Sequence, residues 1–151
     1  MLSTLLLSLG AGRAQEQFAL TAHHFGGGLD MRYDWSARLV GSQVTVERIG
    51  FRSQRVRQIS RSQLNTLRRS IDANNFFDLH SRYGCFQCSD NPACTLIVIL
   101  GGKTKQVQVH QYFQDALPDS GPETGDVRRF MSVWRLVKRI AGFSRVKDLC
   151  P

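Results

Sequence analysis

Between residues 17 and 60, polar and apolar positions alternate along most of the chain, as they do in half-buried strands. Four segments show this pattern: residues 17–25, 29–40, 43–49 and 53–59. The first two flank Gly26-Gly27-Gly28, and glycines turn a chain sharply because they readily adopt positive φ. In the third, Val44 and Val46 share one face, whereas the fourth has a cationic side. The pattern predicts a hairpin followed by two further strands.

After Ser60 the spacing of apolar residues changes to three and four, which is the period of a helix. Ser60 and Gln63 have the spacing of a capping box, in which each side chain bonds the other's backbone N–H. Apolar residues then recur on one face, at Leu64, Leu67 and Ile71. We predict a helix that ends near Asn74-Asn75 and is followed by three core residues, Phe76, Phe77 and Leu79.

A second hairpin is predicted between residues 95 and 111. Residues 95–100, TLIVIL, are continuously apolar and suit a central strand, and Gly101-Gly102 supplies a tight turn. The return segment, residues 105–111, places Val107 and Val109 on one face.

The C-terminal part of the chain predicts a second amphipathic helix. Ser120 and Glu123 form a candidate capping pair after a loop rich in Pro, Gly and Asp, and Gly142 is placed to cap the helix end. The predicted buried stripe consists of Val127, Phe130, Met131, Trp134, Val137 and Ala141. Four basic residues lie largely off this stripe: Arg128, Arg135, Lys138 and Arg139.

These elements define the fold class. With 151 residues and 42% hydrophobic content, the chain is long enough for one core. Strands and helices in this order predict a single small α+β domain, an antiparallel sheet with two helices packed on it. The domain would occupy residues 15–151.

Several features together resemble a group of small exported bacterial-type proteins of unknown function. They are the Ser60-capped helix, the Phe76-Phe77-x-Leu79 step, a Tyr83-containing loop and the hairpin with Gly101 to Lys105 at its turn. The resemblance covers about residues 17–142. It implies the fold but carries no activity, because the group has none assigned.

The N-terminus predicts export. An apolar run from Leu2 to Leu9 precedes Gly12-Arg13-Ala14, which puts small residues at the −3 and −1 positions of a cleavage site after Ala14. Residues 1–14 are therefore interpreted as a signal peptide of a secreted or periplasmic protein, with a first strand or helix of the domain as the alternative. The run is too short to be a transmembrane segment.

Four cysteines agree with export: Cys85, Cys88, Cys94 and Cys150. In a small exported domain an even number of cysteines predicts disulfides, here two, with three connectivities open. We favour Cys85 with Cys150 and Cys88 with Cys94, because the residues between the latter two can form a small closed loop.

Two other interpretations of the cysteines stay open. Cys85 and Cys88 have the spacing of half a zinc knuckle, although the second close pair is missing. The same CFQC segment matches a thioredoxin-like spacing, but a strand follows it instead of the helix that would lower a thiol pKa. Of the histidines, the adjacent His23 and His24 point to opposite faces of a strand and are interpreted as ordinary core or surface residues.

Charge supplies the remaining hint of function. Removing the signal takes away Arg13 and no acid, so the net charge falls from +8 to +7. From Arg48 to Arg69 there are seven arginines and no acid. Such a segment forms either a solvated cationic face or a polyanion-binding surface. The candidate binding residues are Arg52, Arg55, Arg57, Arg61, Arg68 and Arg69.

No nucleophile elbow, phosphate-binding glycine loop or convincing acid–base pair occurs in the sequence, and Asp30 with Asp34 is too ordinary a pair to indicate one. The sequence therefore predicts an exported, disulfide-stabilised, non-enzymatic binding or interaction domain with no cofactor. Its partner would be an anionic surface or another protein. A polyanion-binding protein and a cysteine-ligated zinc protein are the alternatives.

Peptide mapping of the secreted protein without reduction tests these expectations together. The mature chain should begin at Gln15, and Cys150 should be joined to Cys85, Cys88 or Cys94 while the other two cysteines are joined to each other. An intact Met1 on the secreted product would contradict the signal peptide, and four free thiols after chelation would contradict the disulfides.

Overall fold

The structure is a computed structural model that describes residues 17–27, 34–84, 91–110 and 122–144. Within these ranges it contains seven strands: β1 (Phe18–Phe25), β2 (Trp35–Val40), β3 (Gln43–Arg48), β4 (Ser53–Gln58), β5 (Arg82–Tyr83), β6 (Ala93–Leu100) and β7 (Lys103–His110). Two long helices accompany them, α1 (Arg61–Ala73) and α2 (Pro122–Ala141), with short 3-10 turns at Ile49–Phe51 and Phe76–Asp78.

The strands form one sheet in the order β4-β3-β2-β1-β6-β7-β5. Every neighbouring pair is antiparallel except β5 with β7, which is parallel. The predicted fold class, a single α+β domain with a mainly antiparallel sheet and two helices, is therefore confirmed. The sequence did not predict β5, because two residues are too few to show a period of two.

One face of the sheet is apolar because alternate residues of paired strands fall on the same side. On β1 this face carries Phe18, Leu20, Ala22 and His24, all buried, while His23 between them is exposed. All six residues of the predicted α2 stripe are buried, as are Val133 and Ile140 beside them. The core thus lies between this face and the two helices.

The start and end of α1 follow the sequence prediction. The Ser60 hydroxyl accepts a hydrogen bond from the Gln63 N–H at 3.1 Å, and the Gln63 side chain accepts one from the Ser60 N–H at 2.9 Å. After Asn74, Asn75 adopts a left-handed conformation that asparagine tolerates well, and the chain turns inward so that Phe76 and Leu79 are buried. The capping box and the core role of Phe76 and Leu79 are confirmed, whereas Phe77 is only partly buried against the core.

Gly142 ends α2 as predicted. Its N–H donates to the Arg139 carbonyl at 3.1 Å and the Phe143 N–H donates to the Lys138 carbonyl at 2.9 Å, the pair of bonds that defines a Schellman cap. Gly142 takes a φ of 85°, which favours glycine. Ser120, the candidate cap at the other end of the helix, lies outside the described residues.

The placement of Lys138 differs from the sequence prediction, because it is only 7% exposed. The long aliphatic stem of a lysine can be buried while its ammonium group reaches a polar partner. Charge alone therefore did not decide which face of α2 this residue occupies.

No helix in the described ranges is long and apolar enough to cross a membrane.

The capping box gives a test of local stability. Ser60→Ala should lower the free energy of unfolding by about 1 kcal/mol, because the Gln63 N–H loses its acceptor. The exposed Ser62, which lies inside the first turn, is the matched control, and Ser62→Ala should change stability by less than about 0.5 kcal/mol. Urea denaturation of both variants measures the difference, and equal effects would contradict the capping role.

Candidate functional site

Cys94 is the one cysteine within the described residues. It is fully buried on β6, opposite His24 of β1 and Val109 of β7, and it is disulfide-bonded. Its partner lies outside the described residues, as do Cys85, Cys88 and Cys150, so the pairing stays a prediction. A disulfide sulfur is not a thiolate and cannot serve as a zinc ligand. In the part of the chain that the structure describes, no three His, Cys, Asp or Glu side chains are grouped to hold a metal.

His24 is a core residue in an aromatic cluster beneath α2. Its ring stacks on Trp35 with centroids 6.0 Å apart, and Trp35 in turn lies 5.1 Å from Trp134. Phe143, directly after the α2 cap, packs on Trp35 at 4.4 Å. The cluster fixes the C-terminal end of α2 over the start of β2.

Asp34 is also structural. Its carboxylate accepts a 2.6 Å hydrogen bond from the Gly26 N–H, and its carbonyl accepts one from the Ile49 N–H at 3.1 Å. The side chain therefore joins the end of β1 to the start of β2. Asp30, the other member of the pair noted in the sequence, lies outside the described residues.

The register of β4 determines where its arginines point. Arg57 lies opposite Val44 and Arg55 opposite Val46 on β3. Since Val44 and Val46 are buried under the helices, both arginines are on the helix-covered face of the sheet. They are nevertheless exposed, as are all six residues of β4, which is the last strand of the sheet.

Residues of β3, β4 and the C-terminal end of α2 together form a cleft of about 420 Å³. We call it the arginine cleft and define it by its lining residues: Val46, Arg48, Ser53, Arg55, Val56, Arg57, Ala141, Gly142 and Phe143. Three of them are arginines and none is acidic. The Arg48 guanidinium also lies 4.3 Å from the centre of the exposed Phe51 ring, in cation–π geometry.

The helix end contributes to the electrostatics of the arginine cleft. The C-terminus of a helix carries partial negative charge on its carbonyls, which favours nearby cations. Arg57 is close enough that its Nη1 would lie 3.0 Å from a Cβ added to Gly142. The Arg57 guanidinium thus lies beside the partly negative end of α2. The described lining residues of the cleft include no acid that Arg48 or Arg55 could meet.

The other candidate arginines lie elsewhere. Arg61 and Arg68, two helical turns apart on α1, line a separate groove of about 790 Å³ with Phe18, Val40 and Leu64. Arg68 lies over the Phe18 ring at 5.1 Å. Arg69 is exposed on α1, and Arg52 is exposed at a left-handed turn before β4. The structure therefore divides the predicted surface and adds Arg48 to the part around Arg55 and Arg57.

A polar network around Tyr83 was not predicted. The Tyr83 hydroxyl donates to Asp126 Oδ2 at 2.8 Å and accepts from the His80 N–H at 2.6 Å. Asp126 Oδ1 lies 2.5 Å from Arg129 Nη2, and Arg129 also donates to the Asn74 carbonyl at 3.4 Å. The network joins β5 and the end of α1 to the first turns of α2.

The network fixes the protonation states of Tyr83 and Asp126. Burial, followed by the hydrogen bond to Asp126, raises the pKa of Tyr83 to about 12. Burial raises the pKa of Asp126, but the hydrogen bonds from Arg129 and Tyr83 outweigh it, so the pKa is lowered overall. At neutral pH Tyr83 is a hydrogen-bond donor to an ionised carboxylate, which is a structural arrangement and does not prepare a base. The spacing of Asp126 and Arg129 on one helix face was the only sequence signal.

No protein-family model matches the chain, and no curated protein matches it significantly. The resemblance to small exported proteins therefore stays an expectation, and the geometry of the arginine cleft is the basis for inferring function.

Titration at high pH tests the Tyr83 network. Of the three tyrosines, one should ionise near pH 12, and Asp126→Asn should lower that pKa because the charged acceptor is lost. The folded-state pKa lies above the unfolded value of 10.0, so the stabilisation is complete below pH 10 and is lost as the pH rises toward 12. Tyrosinate absorbance measures the ionisation, and Tyr83→Phe should remove the late transition. Ionisation of all three tyrosines near pH 10 would contradict the network.

Proposed function

We propose that this chain is an exported, disulfide-stabilised, non-enzymatic binding domain whose arginine cleft holds an anionic ligand. The observation that carries the proposal is the convergence of Arg48, Arg55 and Arg57 on one cleft whose described lining residues include no acid. The partner is an anionic surface or another protein with exposed carboxylates, and no cofactor is involved.

Arginine is well suited to this role. Each guanidinium keeps its charge and offers five N–H donors in a planar fork that matches carboxylates and phosphates. Arg55 and Arg57 are two residues apart on one strand face, and Arg48 lies on the neighbouring β3, opposite Ser53 and on the same face of the sheet. A ligand with several anionic groups can therefore contact more than one guanidinium at once.

Other features support export and disulfide bonding. The N-terminal sequence has an apolar run before a small-residue cleavage pattern, and the number of cysteines is even. Cys94 is disulfide-bonded at the centre of the core. Each predicted bridge would contribute about 2–4 kcal/mol, a large share of the stability of a domain of this size.

Retention on heparin at increasing salt tests the binding role. The double variant Arg55→Gln/Arg57→Gln should elute at clearly lower salt than the native protein, because two contacts with the polyanion are lost. The matched control is Arg61→Gln/Arg69→Gln, which removes the same charge from α1, outside the arginine cleft. It should elute close to the native protein.

Equal shifts for the two double variants would contradict a specific cleft and indicate attraction to net charge alone. Thermal melting of both variants checks that the fold is retained. Arg57 also lies against the α2 end, so a loss of retention counts only if the variant melts cooperatively near the native temperature.

A further inference from the structure

The outer side of β4 is a free strand edge. β4 is the terminal strand of the sheet and, within the described ranges, is paired only with β3. All six of its residues are exposed, and Val56 in the middle is 57% exposed. An edge strand presents unpaired N–H and C=O groups that a further strand can use.

The register shows which backbone groups face outward. The Ile59 N–H donates to the Ser42 carbonyl at 2.8 Å, and this pair continues the β3–β4 register by one residue. In an antiparallel ladder, hydrogen-bonded pairs alternate with pairs that are not bonded to each other. Ser53, Arg55 and Arg57 therefore bond to β3. The backbone groups of Gln54, Val56 and Gln58 point to the free edge.

The arginine side chains restrict what can pair with this edge. In a sheet, residues directly opposite each other on neighbouring strands have adjacent side chains, and like charges at such positions destabilise the pairing. A second copy of β4 added antiparallel and centred on Val56 would place Arg55 opposite Arg57 twice. An acidic strand would instead place carboxylates beside both guanidinium groups.

We propose that the free edge of β4 binds an extended acidic peptide by strand addition, with acidic side chains at alternate positions entering the arginine cleft. The inference rests on the proposed function and names its partner as a polypeptide. Backbone hydrogen bonds to Gln54, Val56 and Gln58 provide the attachment, and Arg55 and Arg57 select the sequence. A sulfated or uronic-acid glycan has no matching ladder of amides and would use the charges alone.

A pair of modified peptides separates the two contributions. The parent is the capped hexapeptide Glu-Val-Glu-Thr-Glu-Val. In the added strand two of the three glutamates lie opposite Arg55 and Arg57. The N–H groups of all three glutamates point away from β4, and those of the other three residues point toward it. Methylating the backbone nitrogens of the Val, Thr and Val residues blocks the ladder. Methylating the backbone nitrogens of the three glutamates gives a control peptide with the same charge and mass as the ladder-blocked peptide. In this control the hydrogen-bond ladder is intact.

Fluorescence anisotropy with the native protein measures all three peptides at low salt. The ladder-blocked peptide should bind at least about tenfold more weakly than the parent, because several main-chain hydrogen bonds are lost. The glutamate-methylated control should bind within about threefold of the parent. Equal affinities for both methylated peptides would overturn strand addition and leave attraction by charge.

Two protein variants complete the test. Val56→Pro removes one outward N–H, at a position where an edge strand tolerates proline, and should weaken the peptide without changing heparin retention. Arg55→Gln/Arg57→Gln should weaken both peptide binding and heparin retention. If heparin retention is unaffected by the arginine double variant, the proposed function fails, whereas equal binding of the methylated peptides overturns only the strand addition.

Sedimentation of the native protein and of Val56→Pro tests whether a second copy of the chain pairs with the β4 edge. The native protein should be monomeric without peptide. A dimer that Val56→Pro dissociates would overturn the proposal, because the free edge would then be taken by a second copy. If Val56→Pro does not fold, the methylated peptides still decide the matter on the native protein.

Discussion

The packing of Phe143 on Trp35 fixes where α2 ends, and the exposed part of the sheet depends on it. The Schellman bonds turn the chain at Gly142 and direct Phe143 into the aromatic cluster. Val44 and Val46 of β3 are buried, whereas Arg55 and Arg57 of β4, on the same face of the sheet, are exposed. The contact that buries Phe143 therefore also places the end of α2 beside the exposed β4 arginines, where the arginine cleft lies.

The β4 arginines have two effects that are usually considered separately. Charged side chains that point inward on an edge strand discourage pairing with other edges, which protects a protein from aggregation. The same charges favour a partner of opposite sign, since specificity is a difference between the affinities for competing partners. On this domain, protection of the edge and selection of an anionic strand follow from one arrangement of Arg55 and Arg57.

The rest of the molecule holds this edge in place. The capping box at Ser60 starts α1 directly after Ile59, whose buried side chain and hydrogen bond to Ser42 anchor the end of β4. At the opposite end of the sheet, the Tyr83 network ties the first turns of α2 to β5. The helix whose end lines the arginine cleft is therefore attached to the sheet near both of its ends.

The sequence by itself determined what local patterns encode. Alternation set the strands, the three-four spacing set both helices, and the Ser60 cap, the Gly142 cap and the Gly101-Gly102 turn followed from residue type, because these features depend on residues near each other in the chain. The sequence also showed that Arg48 to Arg69 is cationic. It could not show which arginines meet, because that depends on the strand order, the β3–β4 register and the end of α2. The Tyr83–Asp126 hydrogen bond joins residues 43 positions apart, and the burial of Lys138 depends on its neighbours in space. Only the tertiary structure decided the grouping of the arginines, this hydrogen bond and this burial, since contacts between distant residues leave no periodic mark in the sequence.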